Sequence, residues 1–259
     1  MRAENAHPSD TAPSASPVTD GQKVYEAITK RKVLVVLLLL LGTAAGFFLN
    51  LIAGSSDIGL REAAIVLTGG SVDPTTDTVI RSIRLPMAVM AILAGVAFAV
   101  GGCEMQTILG NPMASPYTLG ISSAAAFGAA AGIVLQVRID LLPPNLIVTT
   151  NAFAFSLVAA FLIYRFAAWQ QSSRNTIILF GIALNFIFNS LIMFLQYIAD
   201  ENKLQSIVFW TFGSLAKASW DKALILCAIT LLTLLFLHRR AWQLTALVLQ
   251  DARALSLGV

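Results

Sequence analysis

The sequence predicts an all-α fold, a polytopic bundle of transmembrane helices with six spans. Hydrophobic residues make up 57% of the chain and charged residues only 12%, whereas soluble domains average about 25% charged. Several apolar runs approach the roughly 20 residues that a helix needs to cross about 30 Å of hydrocarbon, and the alternation of barrel strands is missing. A formal net charge of +3 calls for no nucleic-acid partner, because lysines and arginines gathered at cytoplasmic helix ends account for it. Cys103 and Cys227 fall inside apolar spans and read as small core residues, with no disulfide or metal site implied.

Residues 1–22 are rich in Ser, Thr, Pro and Asp and lack apolar periodicity, which predicts a disordered cytoplasmic tail ahead of a transmembrane domain over 23–259. The first apolar run begins only after Lys30-Arg31-Lys32, too far in and too long for a cleavable signal. These cations flank a first span at about 33–52 and hold its start in the cytoplasm. Residues 53–83 turn polar, with Asp57, Arg61, Glu62, Asp73 and Gly69-Gly70, and predict an external loop carrying a short surface helix near Leu60 to Leu67. The second span, about 85–103, returns inward, the prolines of Asn111-Pro112-Met113-Ala114-Ser115-Pro116 turn the chain, and the third span, about 119–135, leads out. Small residues recur at every fourth position in both, Ala91, Gly95, Ala99 and Cys103 in one and Gly120, Ala124, Gly128 and Gly132 in the other. Such ladders make faces for close helix contact.

A turn with Arg138, Asp140 and Pro143-Pro144 precedes the fourth span, about 146–166, and Gln170 to Asn175 forms the next cytoplasmic loop. The fifth span, about 176–198, carries Asn185, Asn189 and Gln196, whose spacings of four and seven residues put all three amides on one face. Residues 204–215 are apolar and aromatic but too short to span, and predict a re-entrant or interfacial external helix. The sixth span, about 220–237, ends at His238-Arg239-Arg240, and 245–259 reads as the start of a short cytoplasmic helix. With this topology ten of the 17 Lys and Arg residues lie inside, the sign expected for a cytoplasmic N-terminus.

The chain holds no Walker-type GxxxxGK[ST] sequence, no Ser/His/Asp set and no metal-ligand spacing, so no catalytic residue, metal or cofactor is expected. The amide stripe either lines a translocation path or hydrogen-bonds across helices, since spacing shows a shared face and not what it faces. Glu104 is the one acid near a span; a solvated or Gln106-bonded carboxylate is favoured over a proton-linked role. Trp210 and Trp220 read as aromatic-belt anchors. An ion-coupled secondary transporter or channel is the alternative class, and it needs intramembrane charges that this sequence supplies only at Glu104.

A set of local sequences in a fixed order adds to this reading: Arg84-Leu85-Pro86, Gly102 to Gln106, Asn111 to Pro116, Leu119-Gly120-Ile121-Ser122-Ser123, Gly181-Ile182-Ala183-Leu184, Phe209-Trp210 with Gly213-Ser214-Leu215, and Ala254 to Val259. In these, from about Val33 onward, the chain resembles the permease subunits of type II ABC importers, the FecCD family of vitamin B12, haem and ferric siderophore permeases. The resemblance implies ten transmembrane helices, so that the six here look C-terminally truncated. It implies a homodimer or paired permease in a bacterial plasma (inner) membrane, a cytoplasmic ABC ATPase and an extracytoplasmic substrate-binding protein, with an iron-siderophore as the expected cargo. ATP hydrolysis then belongs to the partner, and this chain is no enzyme.

By the same resemblance Arg84 meets a carboxylate of the binding protein, with Arg81 on nearly the same face sharing the role. Ser172, Ser173, Arg174 and Asn175 belong to a cytoplasmic gate, and Gln250, Asp251, Arg253, Leu257 and Gly258 to the contact with the ATPase. From the residues alone, Arg84 is also an interfacial arginine reaching lipid headgroups, 172–175 a polar turn, and 250–258 an amphipathic juxtamembrane helix.

Overall fold

The first helix, α1, is Pro17–Ile52, 36 residues, and it begins inside the stretch expected to be a disordered tail. Proline at a first helical position loses nothing, because that N–H has no partner within the helix. The computed structural model describes residues 17–54, 58–136, 144–170 and 173–248, which fall into two compact units divided after Gly70. In the first unit α1 runs unbroken through Lys30-Arg31-Lys32 into its apolar part, where Val33 to Leu41 are all exposed. An all-apolar exposed surface is what a lipid-facing helix requires. Helix α2, Leu60–Leu67, packs against α1, and the Gly59 N–H donates to the Glu62 carboxylate at 3.0 Å to hold its first turn.

In the second unit the Asp73 carboxylate caps α3, Pro74–Val79, accepting from the N–H groups of Thr75 and Thr76 at 3.0 and 3.3 Å. A π-helical turn, Ile80–Arg84, joins α3 to α4, Leu85–Leu109. The second span therefore begins well before residue 85 and ends beyond 103, stopping at Gly110, whose φ of +57° is the left-handed helix end that glycine adopts without strain. Four more helices of varied length follow α5, Ile121–Val134: α6, Pro144–Gln170; α7, Arg174–Ile198; α8, Glu201–Phe212; and α9, Trp220–Val248. Residues 245–248 are thus the end of α9 and not the start of a separate helix.

Five helical segments among the described residues are long and apolar enough to cross a membrane. Helix α5 is the exception: its 14 residues rise only about 21 Å. The expected third span over 119–135 is therefore not a full crossing helix.

Helices α5, α6 and α7 share a core of Ala124, Ala159, Leu184 and Phe188, with Phe127 edge-on to Phe155 at 5.0 Å. The second small-residue ladder lies in this contact. A Cβ on Gly128 would come 2.5 Å from the Asn151 carbonyl oxygen, and one on Gly132 would come 2.7 Å from Asn151 Nδ2. The first ladder is used differently: Ala91, Gly95, Ala99 and Cys103 are exposed, and a Cβ on Gly95 would meet no atom within 4 Å. A fourfold spacing defines a face and leaves its occupant open. Helix α4 packs instead on α9, with the Trp220 indole N–H donating to the Arg81 carbonyl at 3.0 Å, so the two helices start at one level.

At the other end of α7, the N–H of Lys203 donates to the Asp200 carboxylate at 2.9 Å and holds that carboxyl below its ordinary range, with the Lys203 ammonium 3.4 Å away adding to it. A carboxyl depressed in the folded state stabilises α8 fully above the ordinary carboxylate range, and the contribution disappears as pH falls through the lower folded value. Protection factors of the first-turn amides of α8, taken against the unstructured exchange rate at the same pH, are expected to fall in acid, below the range where an ordinary Asp titrates, and an Asp200→Ala variant to show that lower protection at neutral pH already.

Candidate functional site

Between Gly110 and Gly120 the chain leaves the helical path. Asn111 Oδ1 accepts from the Met113 N–H at 2.8 Å, Ser115 and Thr118 bond to each other's backbone and side chain, and the Pro116 carbonyl accepts from the N–H groups of Ile121 and Ser122. Gly120, at φ +76°, then starts α5. Its built Cβ would lie 2.8 Å from the Asn185 backbone nitrogen, and one on Gly181 would lie 2.8 Å from Leu119 Cα. These paired glycines let the start of α5 touch α7 near its middle. The non-helical segment thus carries the chain up alongside half of α7 before the helix resumes, which explains why α5 is short. Irregular backbone at membrane depth persists only where protein groups satisfy it. Asn185 does so, its Nδ2 donating to the Tyr117 carbonyl at 2.7 Å.

The rest of Asn185 closes a network. Ser123 Oγ, buried on α5, donates to Asn185 Oδ1 at 3.1 Å. Asn189 Nδ2 donates to the Asn185 carbonyl at 2.8 Å, to Ser123 Oγ at 3.4 Å and to Asn185 Oδ1. The three amides are used differently: Asn185 bonds across helices, Asn189 does that and also borders open space, and Gln196 borders open space.

That space is a cavity of about 720 Å³, bounded by α5 and α7, by Phe98 of α4 and Ser156 of α6, and by Trp210 and Thr211 of α8. Tyr117, Ser122, Ser123, Asn189 and Gln196 supply the other polar groups, and Ile192 and Met193 apolar ones; among the described lining residues none is charged. Sequence reasoning missed Ser122, Ser123, Ser156 and Thr211, and read Trp210 as a belt residue. A hydroxyl isolated in an apolar span, as at Ser156, is the one signal that pointed here.

The other expected site residues fare unevenly. Arg84 sits in the π-helical turn at 6% exposure and is engaged within the fold, so its guanidinium is neither a headgroup-seeking interfacial group nor an accessible docking cation in this conformation. Arg81 is exposed and pairs with Asp77 at 2.8 Å. Ser173 caps α7, its Oγ accepting from the Thr176 N–H at 3.3 Å, while Arg174 and Asn175 form the first turn of that helix. A Cβ on Gly110 would meet Arg174 Nη1 at 2.7 Å, so this guanidinium lies over the carbonyl end of α4, where the helix dipole favours a cation. Ser172 and the coupling residues Gln250, Asp251, Arg253, Leu257 and Gly258 lie outside the described residues. Glu104 Oε2 is buried without a hydrogen-bond partner among the described residues, so a solvated carboxylate does not describe that oxygen.

Comparison with known proteins gives this architecture a place. The FecCD transport family matches residues 38–259. An ABC transporter permease protein of Methanocaldococcus jannaschii is 33% identical over 91% of this chain and 69% of its own length. The molybdate import system permease protein MolB of Haemophilus influenzae is 35% identical over 74% of this chain and 56% of its own length, so the chain spans little more than half of that relative. Among solved structures, one described as an inward-facing conformation of a metal-chelate type ABC transporter matches with a TM-score of 0.72 and 30% identity, covering 88% of this chain and 68% of that one. A family match over most of the chain, carried on a multi-pass helical fold, means that this chain belongs to the FecCD transport family, the permeases of ABC importers, as a membrane-spanning subunit and not as the ATPase.

Proposed function

We propose that the chain forms the membrane pathway of an ATP-driven importer, moving an iron-siderophore or related metal chelate from an extracytoplasmic binding protein into the cytoplasm. The observation that carries this is the cavity of about 720 Å³ with uncharged, mixed polar and apolar walls. Its size is that of a small-molecule site, and walls that offer single hydrogen bonds without charge let a ligand enter and leave without trapping it. The structural neighbour, described as a metal-chelate type transporter, supports the cargo class. The permease pairs with a second copy or a second permease, and an ABC ATPase docks on the cytoplasmic side through 250–258. Lys30-Arg31-Lys32 hold the N-terminus in the cytoplasm of a bacterial inner membrane.

Reconstitution with its ATPase and binding protein in proteoliposomes tests the reading. Uptake of a radiolabelled ferric chelate is expected to require ATP inside the coupled system; uptake driven by a proton gradient alone, without ATP, would replace it with the ion-coupled alternative. Since Arg81 is the accessible member of the arginine pair, Arg81→Glu is expected to weaken binding-protein docking several-fold, more at low salt than at high salt, because an exposed charge acts mainly through steering. Surface plasmon resonance against immobilised permease reads this directly.

A further inference from the structure

The buried residues Ile80, Arg84 and Ala88 follow one another at intervals of four. In an uninterrupted α-helix eight residues turn about 800°, which would leave Ile80 about 80° away from the side of Ala88. The π-helical turn over Ile80–Arg84 takes up an extra residue, which removes most of that angle and brings Ile80 back to the buried side. With the turn in the α-helical register, the residue on that side would be Arg81, seven before Ala88 and about 20° from it. The register of this turn therefore decides which of two neighbours, an isoleucine or a cation, faces inward.

The π register diverts a hydrogen bond. The Leu85 N–H, which an α-helix would give to the Arg81 carbonyl, donates to the Ile80 carbonyl instead, and the next residue, Pro86, has no N–H to offer. The Arg81 carbonyl is met from another helix, by the Trp220 indole N–H at the start of α9, at 3.0 Å. We infer that Trp220 sets the register and is thereby a positioning residue for docking. Its N–H holds the turn in the π form, which keeps Ile80 inside and Arg81 on the outer surface, where it pairs with Asp77. Its service to docking rests on reading Arg81 as the cation that meets the binding protein; its hold on the register does not. Burying a guanidinium also opposes the α register, so the α form is a minor state whose population Trp220 lowers.

The experiment uses the protein in lipid nanodiscs, with the free cysteines Cys103 and Cys227 changed to Ala. One version carries Ile80→Cys, and a control carries Ile207→Cys, at a buried position of α8. In each, Trp220 is kept, changed to Phe, or replaced by benzothienylalanine, which has the shape of the indole with sulfur in place of the N–H. A thiol at position 80 is buried in the π form and reacts while the turn is in the other register, so the rate of alkylation by a water-soluble maleimide reads the minor state. Both replacements are expected to speed alkylation of the Ile80→Cys protein about three- to tenfold, the change in population that loss of one hydrogen bond produces. The Ile207→Cys control is expected to change less than about twofold. An Ile80→Cys rate that benzothienylalanine leaves unmoved overturns the inference, because the shape of the ring then suffices. Equal acceleration at both positions overturns it too, because the fold has then loosened as a whole. Docking is decided separately by Arg81→Glu: unchanged affinity for the binding protein removes the docking role and leaves the register to the alkylation rates.

Discussion

Replacing Gly128 by valine is expected to abolish recovery of folded protein. The built Cβ of residue 128 would stand 2.5 Å from the Asn151 carbonyl oxygen, 2.9 Å from the Asn151 carbonyl carbon and 2.9 Å from Phe155 Cδ2. Two of those atoms are backbone of α6, so no rotamer change relieves the overlap and the two helices must separate. Separation empties the contact that buries Ala124 and Ala159 and parts the Phe127–Phe155 ring pair. Overpacking into a side-chain core costs about 1–3 kcal/mol; a clash against backbone lies at or beyond the top of that range. Two controls isolate the cause. Gly132→Ala meets the movable end of Asn151 at Nδ2 and is expected to lose only part of the stability, and Gly95→Val meets no neighbour and is expected to behave as the parent. Size-exclusion profiles and thermal unfolding in detergent rank the three. A Gly128→Val protein with the parent's profile would mean that α5 and α6 do not approach as closely as this.

The difference between Gly95 and Gly128 also marks the limit of what the sequence reveals. Both belong to ladders of identical spacing, and the amino-acid order defines each face while leaving its neighbour unspecified. Membrane helices were legible because exclusion from lipid is a local demand: every backbone group must be satisfied within the segment, and a run such as Val33 to Leu41 announces that alone. A short helix near 204–215 was legible for a similar reason, being apolar yet too short to cross, and α8 lies there. The truncated α5 was not, since 119–135 is as apolar as a crossing helix and its real start depends on Gly181 and Asn185, some 60 residues along the chain. Arg84 read as a docking cation by resemblance, with an interfacial arginine as the alternative; its burial depends on the π-helical turn, which no residue pattern signals. Trp210 read as a membrane-interface anchor, although α8 folds it over the cavity. The amide stripe fell between these cases. Periodicity put Asn185, Asn189 and Gln196 together, and tertiary contacts then divided their work.

That division predicts a graded response to removing each amide. Asn185→Leu keeps the volume and is expected to cost about 1–2 kcal/mol, because it deletes the donor to the Tyr117 carbonyl and the acceptor of Ser123 and Asn189 together. Interhelical hydrogen bonds in membranes average about 0.6 kcal/mol each, so the bonds to Tyr117 and Ser123 account for a little over 1 kcal/mol and the one to Asn189, within α7, adds a few tenths; the Tyr117 carbonyl keeps the Gly120 N–H as a partner. Asn189→Leu removes amide bonds but leaves Asn185 on Tyr117, and is expected to cost about half as much by the same average. Gln196→Leu removes no bond among the described residues and is expected to leave stability unchanged while making the cavity wall more apolar. Reversible unfolding in bicelles with increasing dodecyl sulfate measures all three, and a double-mutant cycle of Asn185→Leu with Ser123→Ala isolates the one direct bond, with a coupling of about 0.6 kcal/mol expected. Equal stability of the Asn185→Leu and Gln196→Leu proteins would show that the Gly120 N–H satisfies the Tyr117 carbonyl without Asn185. Through its bond to Asn185, Ser123 is held against the cavity, so the same variant is expected to loosen that wall.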